Sequence, residues 1–230
     1  MFVDRQQAGK LLAEQVEQYL RQNNALNPER LVAVGLPRGG VPVAAEVALA
    51  LACPLDILVS KKIGAPDNPE LAIGAVSSDG VVVLDQQIAR LFGNSERFFQ
   101  EQSRQKEHLI QETRAMEERY IKQAGIKERP TLSGMIVIVV DDGVATGMTT
   151  MAALRTLRKR GVGELILGTP VIPYDTFRKM ESECDRLIAL SVPYDFIAVG
   201  YHYQDFHQVS DAEMIDSLKR AFAGSVGTGR

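Results

Sequence analysis

The chain has 230 residues, 45% of them hydrophobic, and a net charge of −3 from 26 basic and 29 acidic side chains. That length suits one α/β domain with an elaboration, and the near balance of charge offers no basic field for a nucleic acid. Cys53 and Cys184 are too few for a disulfide framework, and the most apolar stretch, residues 39–60, is broken by Glu46, Pro54 and Asp56. With no apolar signal core in Met1-Phe2-Val3-Asp4-Arg5, a cytoplasmic protein without a membrane span is expected.

Residues 4–23 have the spacing of an amphipathic helix, with Leu11, Leu12, Val16, Tyr19 and Leu20 on one side. Residues 31–36 are a continuous apolar run, the pattern of a strand covered on both faces. Pro37-Arg38-Gly39-Gly40 then turns into an Ala-rich helix to about Ala52. A second such strand is expected over residues 55–60, followed by a loop over 61–69 rich in Gly, Pro and Asn. Residues 71–77 and 81–84 flank Asp79-Gly80, which predicts a hairpin. Asn94-Ser95 would cap a long charged helix reaching about Gln123. Its apolar stripe is narrow (Leu109, Thr113, Met116, Tyr120), which predicts a helix lying on the body or against a partner subunit.

Residues 137–140 form an apolar strand ending on Asp141-Asp142, and a Gly/Thr turn opens a helix over 150–160 that Gly161 stops. A strand over 164–172, a helix over 174–184, strands over 186–192 and 196–200, and a closing helix over 211–223 complete the pattern. Strands alternating with helices predict an α/β fold: a mainly parallel sheet with helices on both faces and right-handed crossovers. His108, His202 and His207 have no metal-binding spacing.

In an open parallel sheet, ligands sit beyond the carboxyl ends of the strands. The loops after Leu36, Ser60, Val140 and Gly200 are therefore the candidates. The turn over 143–150 leaves backbone N–H groups at a helix start, where they and the helix dipole favour a phosphate. Thr146, Thr149 and Thr150 add hydroxyl donors, while Asp141 and Asp142 are acceptors that suit sugar hydroxyls or a divalent cation. Arg38, between Pro37 and the Gly39-Gly40 pair, suits a pyrophosphate. Lys61 and Lys62 follow one another on an extended backbone, so only one of them faces a given side. A plain strand–turn–helix capped by Asp and Thr is the alternative reading.

The run Val137-Ile138-Val139-Val140-Asp141-Asp142-Gly143-Val144-Ala145-Thr146-Gly147-Met148-Thr149 resembles the signature of the type I phosphoribosyltransferases: four apolar residues, two acids, three variable residues and T-G-x-T. The chain also looks like bacterial members of that family whose substrate is unassigned. The resemblance covers residues from about 31 to 211. It implies that Asp141 and Asp142 hold the ribose hydroxyls of phosphoribosyl pyrophosphate (PRPP), and that Ala145, Thr146, Gly147, Met148, Thr149 and Thr150 bind its 5-phosphate. Arg38, Gly39 and Gly40 correspond to the pyrophosphate turn, which in the family often carries a non-proline cis peptide, here Pro37–Arg38. Lys61 or Lys62 would contact pyrophosphate, the loop behind them would close over the site, and Glu70 would donate or accept a proton. The segment around Phe196 and Val199 resembles the base-binding hood of purine enzymes.

The implied reaction is Mg2+-dependent transfer of the 5-phosphoribosyl group to a nitrogenous base, with release of pyrophosphate. Mg2+ would arrive with PRPP and could also meet Asp141 or Asp142. A single domain over residues 1–230 is expected, with a core over about 25–190, a hood over about 191–223 and the long helix over about 95–123 as an insertion. A homo-oligomer, in the simplest case a dimer, is expected as well. Ala145 departs from the acid that 6-oxopurine enzymes carry there, and Met148 from their common Lys, which leaves the acceptor open. The rival class is a non-catalytic sensor of PRPP or a nucleotide on the same fold.

Overall fold

The computed structural model describes residues 1–65, 68–85 and 96–226; the side chains of 68–72, 96–105 and 225–226 lie outside that description. In chain order the elements are α1 (Arg5–Gln22), β1 (Leu31–Gly35), α2 (Gly40–Ala50), β2 (Leu55–Ile57), β3 (Ser60–Ala65), β4 (Asn68–Ser77), β5 (Val82–Leu84) and α3 (Glu96–Ala124). Then come β6 (Ile136–Val140), α4 (Met148–Lys159), β7 (Glu164–Val171), α5 (Tyr174–Met180), β8 (Arg186–Ser191), a 3-10 turn (Val199–His202) and α6 (Asp211–Val226). The main sheet has the order β2-β1-β6-β7-β8, and every pairing in it is parallel.

Strand side chains alternate between faces, and here both sets are apolar, so the sheet is stable only between two helical layers. Leu31, Ala33, Ile136, Ile138 and Val140 face a core completed by Leu12, Val16 and Leu20 of α1, Val43 and Val47 of α2 and Leu218 of α6. Val32, Val34, Val137 and Val139 face the other, built with Leu154 and Leu157 of α4 and Met180 of α5. Each fully buried Leu or Val in these layers contributes about 1.5–3 kcal/mol. The parallel α/β sheet read from the alternating pattern is the observed one.

The run expected as one strand over residues 55–60 is divided. β2 ends at Ile57, and β3 starts a separate antiparallel sheet of order β3-β4-β5. Other partners take the backbone at the break: Leu58 N–H donates to Gly35 C=O (3.3 Å), and Ser78 N–H to Val59 C=O (3.0 Å). Residues 61–65 and 68–69, expected in a loop, are therefore arms of a hairpin, with Ser60 opposite Ser77 and Lys62 opposite Ala75. Ile63, Ala65, Ile73 and Val76 of this sheet pack with Leu109 and Ile110 of α3, and burial on that side is what the Gly/Pro composition concealed. β5 closes the hairpin predicted at Asp79-Gly80.

α3 lies on the body, as its narrow stripe predicts, with Thr113 and Tyr120 fully buried. The proposed cap Asn94-Ser95 falls outside the described residues. Glu117, which the charged pattern of α3 gave no reason to bury, is only 4% exposed. Its carboxylate accepts from Val59 N–H (2.8 Å), the Ser78 hydroxyl (2.7 Å) and Arg129 Nη1 (2.6 Å). Arg129 also grips Asp56 on β2 through Nε (3.0 Å) and Nη2 (2.9 Å). This three-charge network ties the small sheet, the long helix and the edge of the main sheet together. The strand expected over 196–200 is instead an extended segment and the 3-10 turn. Among the described residues it pairs with no strand, and Ile197 is 73% exposed.

Candidate active site

Gly35 and Val140 are register partners at the ends of β1 and β6, so the turns that follow them emerge side by side. Leu36 N–H donates to Val140 C=O (2.9 Å), carrying the pairing one residue further. The Pro37–Arg38 peptide bond is cis, as the resemblance implies. Gly39 and Gly40 then lie directly on the acids. A Cβ on Gly39 would collide with the Asp142 carboxylate, and one on Gly40 would sit 2.9 Å from Asp141 Cα. Glycine permits this approach of two backbones.

The two carboxylates are held differently. Asp141 Oδ1 accepts from Asp142 N–H (2.9 Å), and its Oδ2 lies 3.4 Å from Thr150 Oγ1. Asp142 Oδ2 accepts from Arg5 Nε (2.7 Å), and its carbonyl accepts from the Tyr203 hydroxyl (2.6 Å). Burial pushes the Asp141 carboxyl well above the usual carboxylate range, and the charge of Asp142 pushes it further. Burial also raises Asp142, but there the Arg5 guanidinium pulls the other way. The pair is thus set into the protein rather than standing in solvent at the strand end.

The turn after the acids reaches α4 at Met148, two residues before the helix start expected at Thr150. Gly147 caps it with φ 78°, a left-handed conformation that glycine adopts without strain. First-turn N–H groups of a helix have no intrahelical acceptor, so those around Met148 and Thr149 suit an anion. Ala145 and Thr146 are exposed, and Thr150 is buried. The loop is pinned from α5, where the Thr176 hydroxyl donates to Ala145 C=O (2.7 Å). A Cβ on Gly147 would meet Met180 Cε at 2.6 Å.

Around this centre the other candidates separate. Arg38 Nη1 lies 3.4 Å from Asp211 Oδ1 at the start of α6, a carboxylate that also takes Arg119 and the Tyr120 hydroxyl, both at 3.0 Å. Lys61 turns to α3, with Nζ 3.0 Å from Glu112 Oε1. Lys62 is exposed and shares a sheet face with Ala75 and Val83, its register neighbours. Those two pack with Met148, Met151 and Ala152 of α4, which puts Lys62 on the side of the phosphate turn. The backbone of Glu70 runs in β4, and its side chain lies outside the description. Phe196 stacks on His202 (centroids 5.8 Å apart). Val199 packs so closely on Gly143 that no Cβ fits between them. The fold therefore gathers Asp141, Asp142, Gly39, Gly40, the 145–150 turn and Val199, and draws Lys61 away from Lys62.

Arg5, Tyr203 and Thr176 join the site without a mark in the sequence, because each meets it across 31 or more residues. The basic cluster near the end of α4 is balanced: Arg155, Arg158 and Arg160 pair with Glu183, Asp185 and Asp79. Among the described residues, no group of three or more His, Cys, Asp or Glu is placed to hold a metal. Among them too, no helix is long and apolar enough to cross a membrane.

Comparison with known proteins agrees with this geometry. Residues 2–205 match the family model of the phosphoribosyl transferase domain. Two curated relatives from Mycobacterium tuberculosis, strains CDC 1551 and H37Rv, carry the provisional name phosphoribosyl transferase. Each is 39% identical over 221 residues, 96% of this chain. The chain spans about half (47%) of their length. A crystal structure of TT1426 from Thermus thermophilus is 36% identical, covers 95% of this chain and 98% of its own, and superposes with a TM-score of 0.75.

Proposed function

The chain belongs to the phosphoribosyl transferase domain family, and from that premise we propose that it transfers the 5-phosphoribosyl group of PRPP to a nitrogenous acceptor with release of pyrophosphate. The observation that carries this reading is the contact of the Gly39-Gly40 turn with Asp141 and Asp142. In this reading one surface combines acceptors for sugar hydroxyls, a helix start that suits an anion and a turn with a cation beside it, which would answer the ribose, the 5-phosphate and the pyrophosphate of PRPP.

In this reading the acceptor nitrogen attacks ribose C1 as the C1–O bond to pyrophosphate breaks, and the bonding pair leaves with pyrophosphate. Asp141 and Asp142 accept from the ribose hydroxyls and favour the positive charge growing at C1. The N–H groups and hydroxyls of Thr146 to Thr150 anchor the 5-phosphate. Arg38 and Lys62 face the departing charge, Arg38 exchanging Asp211 for the ligand. Val199 and Phe196 border the acceptor. Two adjacent carboxylates fit Mg2+, which takes few protein oxygens together with substrate phosphates. Bound there, Mg2+ would neutralise part of the pyrophosphate charge.

Calorimetry with Mg-PRPP, followed by pyrophosphate release with a panel of purine and pyrimidine bases, tests the reading. Binding with release for at least one base is expected. No binding would overturn it, and binding without release for any base would leave a sensor of PRPP.

A further inference from the structure

We propose that Arg5, at the start of α1, is a positioning residue of this site, supplying the fixed counter-charge that aims Asp142. The role rests on the phosphoribosyl-transfer reading, but the contacts stand without it. Arg5 Nε lies 2.7 Å from Asp142 Oδ2, and the two side chains are only 9% and 14% exposed. Nothing near Arg5 in sequence accounts for burying a guanidinium on the polar first turn of a helix. Its surroundings do. Nη1 donates to His207 C=O (2.9 Å), and the guanidinium lies 3.9 Å over the Phe206 ring.

Three contacts therefore fix the cation, and the cation fixes one carboxylate oxygen. The two carboxyls also share a side-chain hydrogen bond. Among the described residues Asp141 has no such cation; it accepts from the Asp142 N–H and lies 3.4 Å from the Thr150 hydroxyl. Arg5 thus makes the two adjacent acids unequal. A guanidinium fork sets direction as well as charge, which an ammonium cannot do as well. Asp141 and the Tyr203 hydroxyl face the pair. Arg5 also lines, with Asp4, Asp205, His207, Glu213, Asp216 and Arg220, a cleft of about 450 Å³.

The test uses the full chain with Arg5→Gln, Arg5→Lys and Arg5→Ala. Crystal structures of the variants follow the Asp142 carboxylate, and calorimetry follows Mg-PRPP. With Arg5→Gln, the carboxylate should turn from its present orientation and affinity should fall about tenfold, the loss of one charge-assisted contact. Arg5→Lys should bind more weakly than the unaltered chain. Millimolar guanidinium, entering by the cleft, should restore binding to Arg5→Ala. An unmoved Asp142 carboxylate in folded Arg5→Gln overturns the proposal. If that variant does not fold, Arg5→Lys with full Mg-PRPP affinity overturns it instead. Should the unaltered chain not bind Mg-PRPP, the transfer reading fails, while the orientation of Asp142 in the variants still decides what Arg5 does.

Discussion

A carbon added to Gly39 would occupy the space of the Asp142 carboxylate, so the turn after β1 and the acids after β6 share one surface. Gly39→Ala must push either the turn or the carboxylate aside. Overpacking of this kind costs about 1–3 kcal/mol. Mg-PRPP affinity should fall with it, because either displacement disturbs the site. Urea unfolding with calorimetry checks this, and unchanged values in both would disprove the contact.

Lys61 and Lys62 should part company on substitution. Lys62 shares its face with the residues packed on α4, whereas Lys61 is paired with Glu112 on α3. Lys62→Ala should weaken Mg-PRPP binding about tenfold or more, the loss of one charge-assisted contact. Lys61→Ala should leave binding nearly intact and change stability by less than about 1 kcal/mol, since its partly exposed ion pair is worth little. The reverse order in calorimetry would exchange their roles.

Both faces of β1 and β6 were legible because an unbroken apolar run can satisfy two layers at once, and the acids and phosphate turn were legible because their chemistry is contiguous. The break after Ile57 was not. Leu58 and Val59 look like strand, and what ends β2 is Glu117 and Ser78 capturing the backbone from distant segments. The run over 196–200 misled for a related reason: an apolar stretch makes a strand only where a neighbour offers hydrogen bonds. Arg5 was hidden because a basic residue on the first turn of an exposed helix reads as solvated. Its meaning depends on a contact 137 residues away.

Arg129 should prove a stability residue rather than a site residue. Its guanidinium is shared by Asp56 and Glu117, which are 2% and 4% exposed. Arg129→Met strands both carboxylates, and breaking a buried pair in this way costs about 3–5 kcal/mol. Burial raises the Asp56 carboxyl, with Arg129 opposing it. A raised carboxyl favours the folded state at low pH, and that contribution is lost as pH rises through the folded value. The deficit of Arg129→Met measured by urea should therefore shrink as pH falls from 7 towards the carboxylate range. A deficit independent of pH would mean that lost packing, not stranded charge, is the cause.

The two acids of the site should respond oppositely enough to be ranked. Asp141 is raised well above the usual range by burial and then by Asp142, and among the described residues no cation pairs with it. Its ionised form is therefore a cost to folding at neutral pH, absent below its unfolded value and felt as pH rises through the folded one. Asp141→Asn removes that cost and keeps an acceptor for the Asp142 N–H. Asp142→Asn relieves repulsion as well, but it gives up the ion pair with Arg5 and leaves a buried guanidinium short of charge. Thermal unfolding at pH 8 should place Asp141→Asn above Asp142→Asn, and at or above the unaltered chain. At pH 5 the advantage of Asp141→Asn over the unaltered chain should narrow, because protonation then does what the amide did. Mg-PRPP affinity should be lost in both variants, a stability gain purchased with function at a site built to hold charge. If Asp142→Asn is instead the more stable variant at pH 8, the Arg5 pair does not offset the burial of its acid, and the inequality of the two carboxylates disappears.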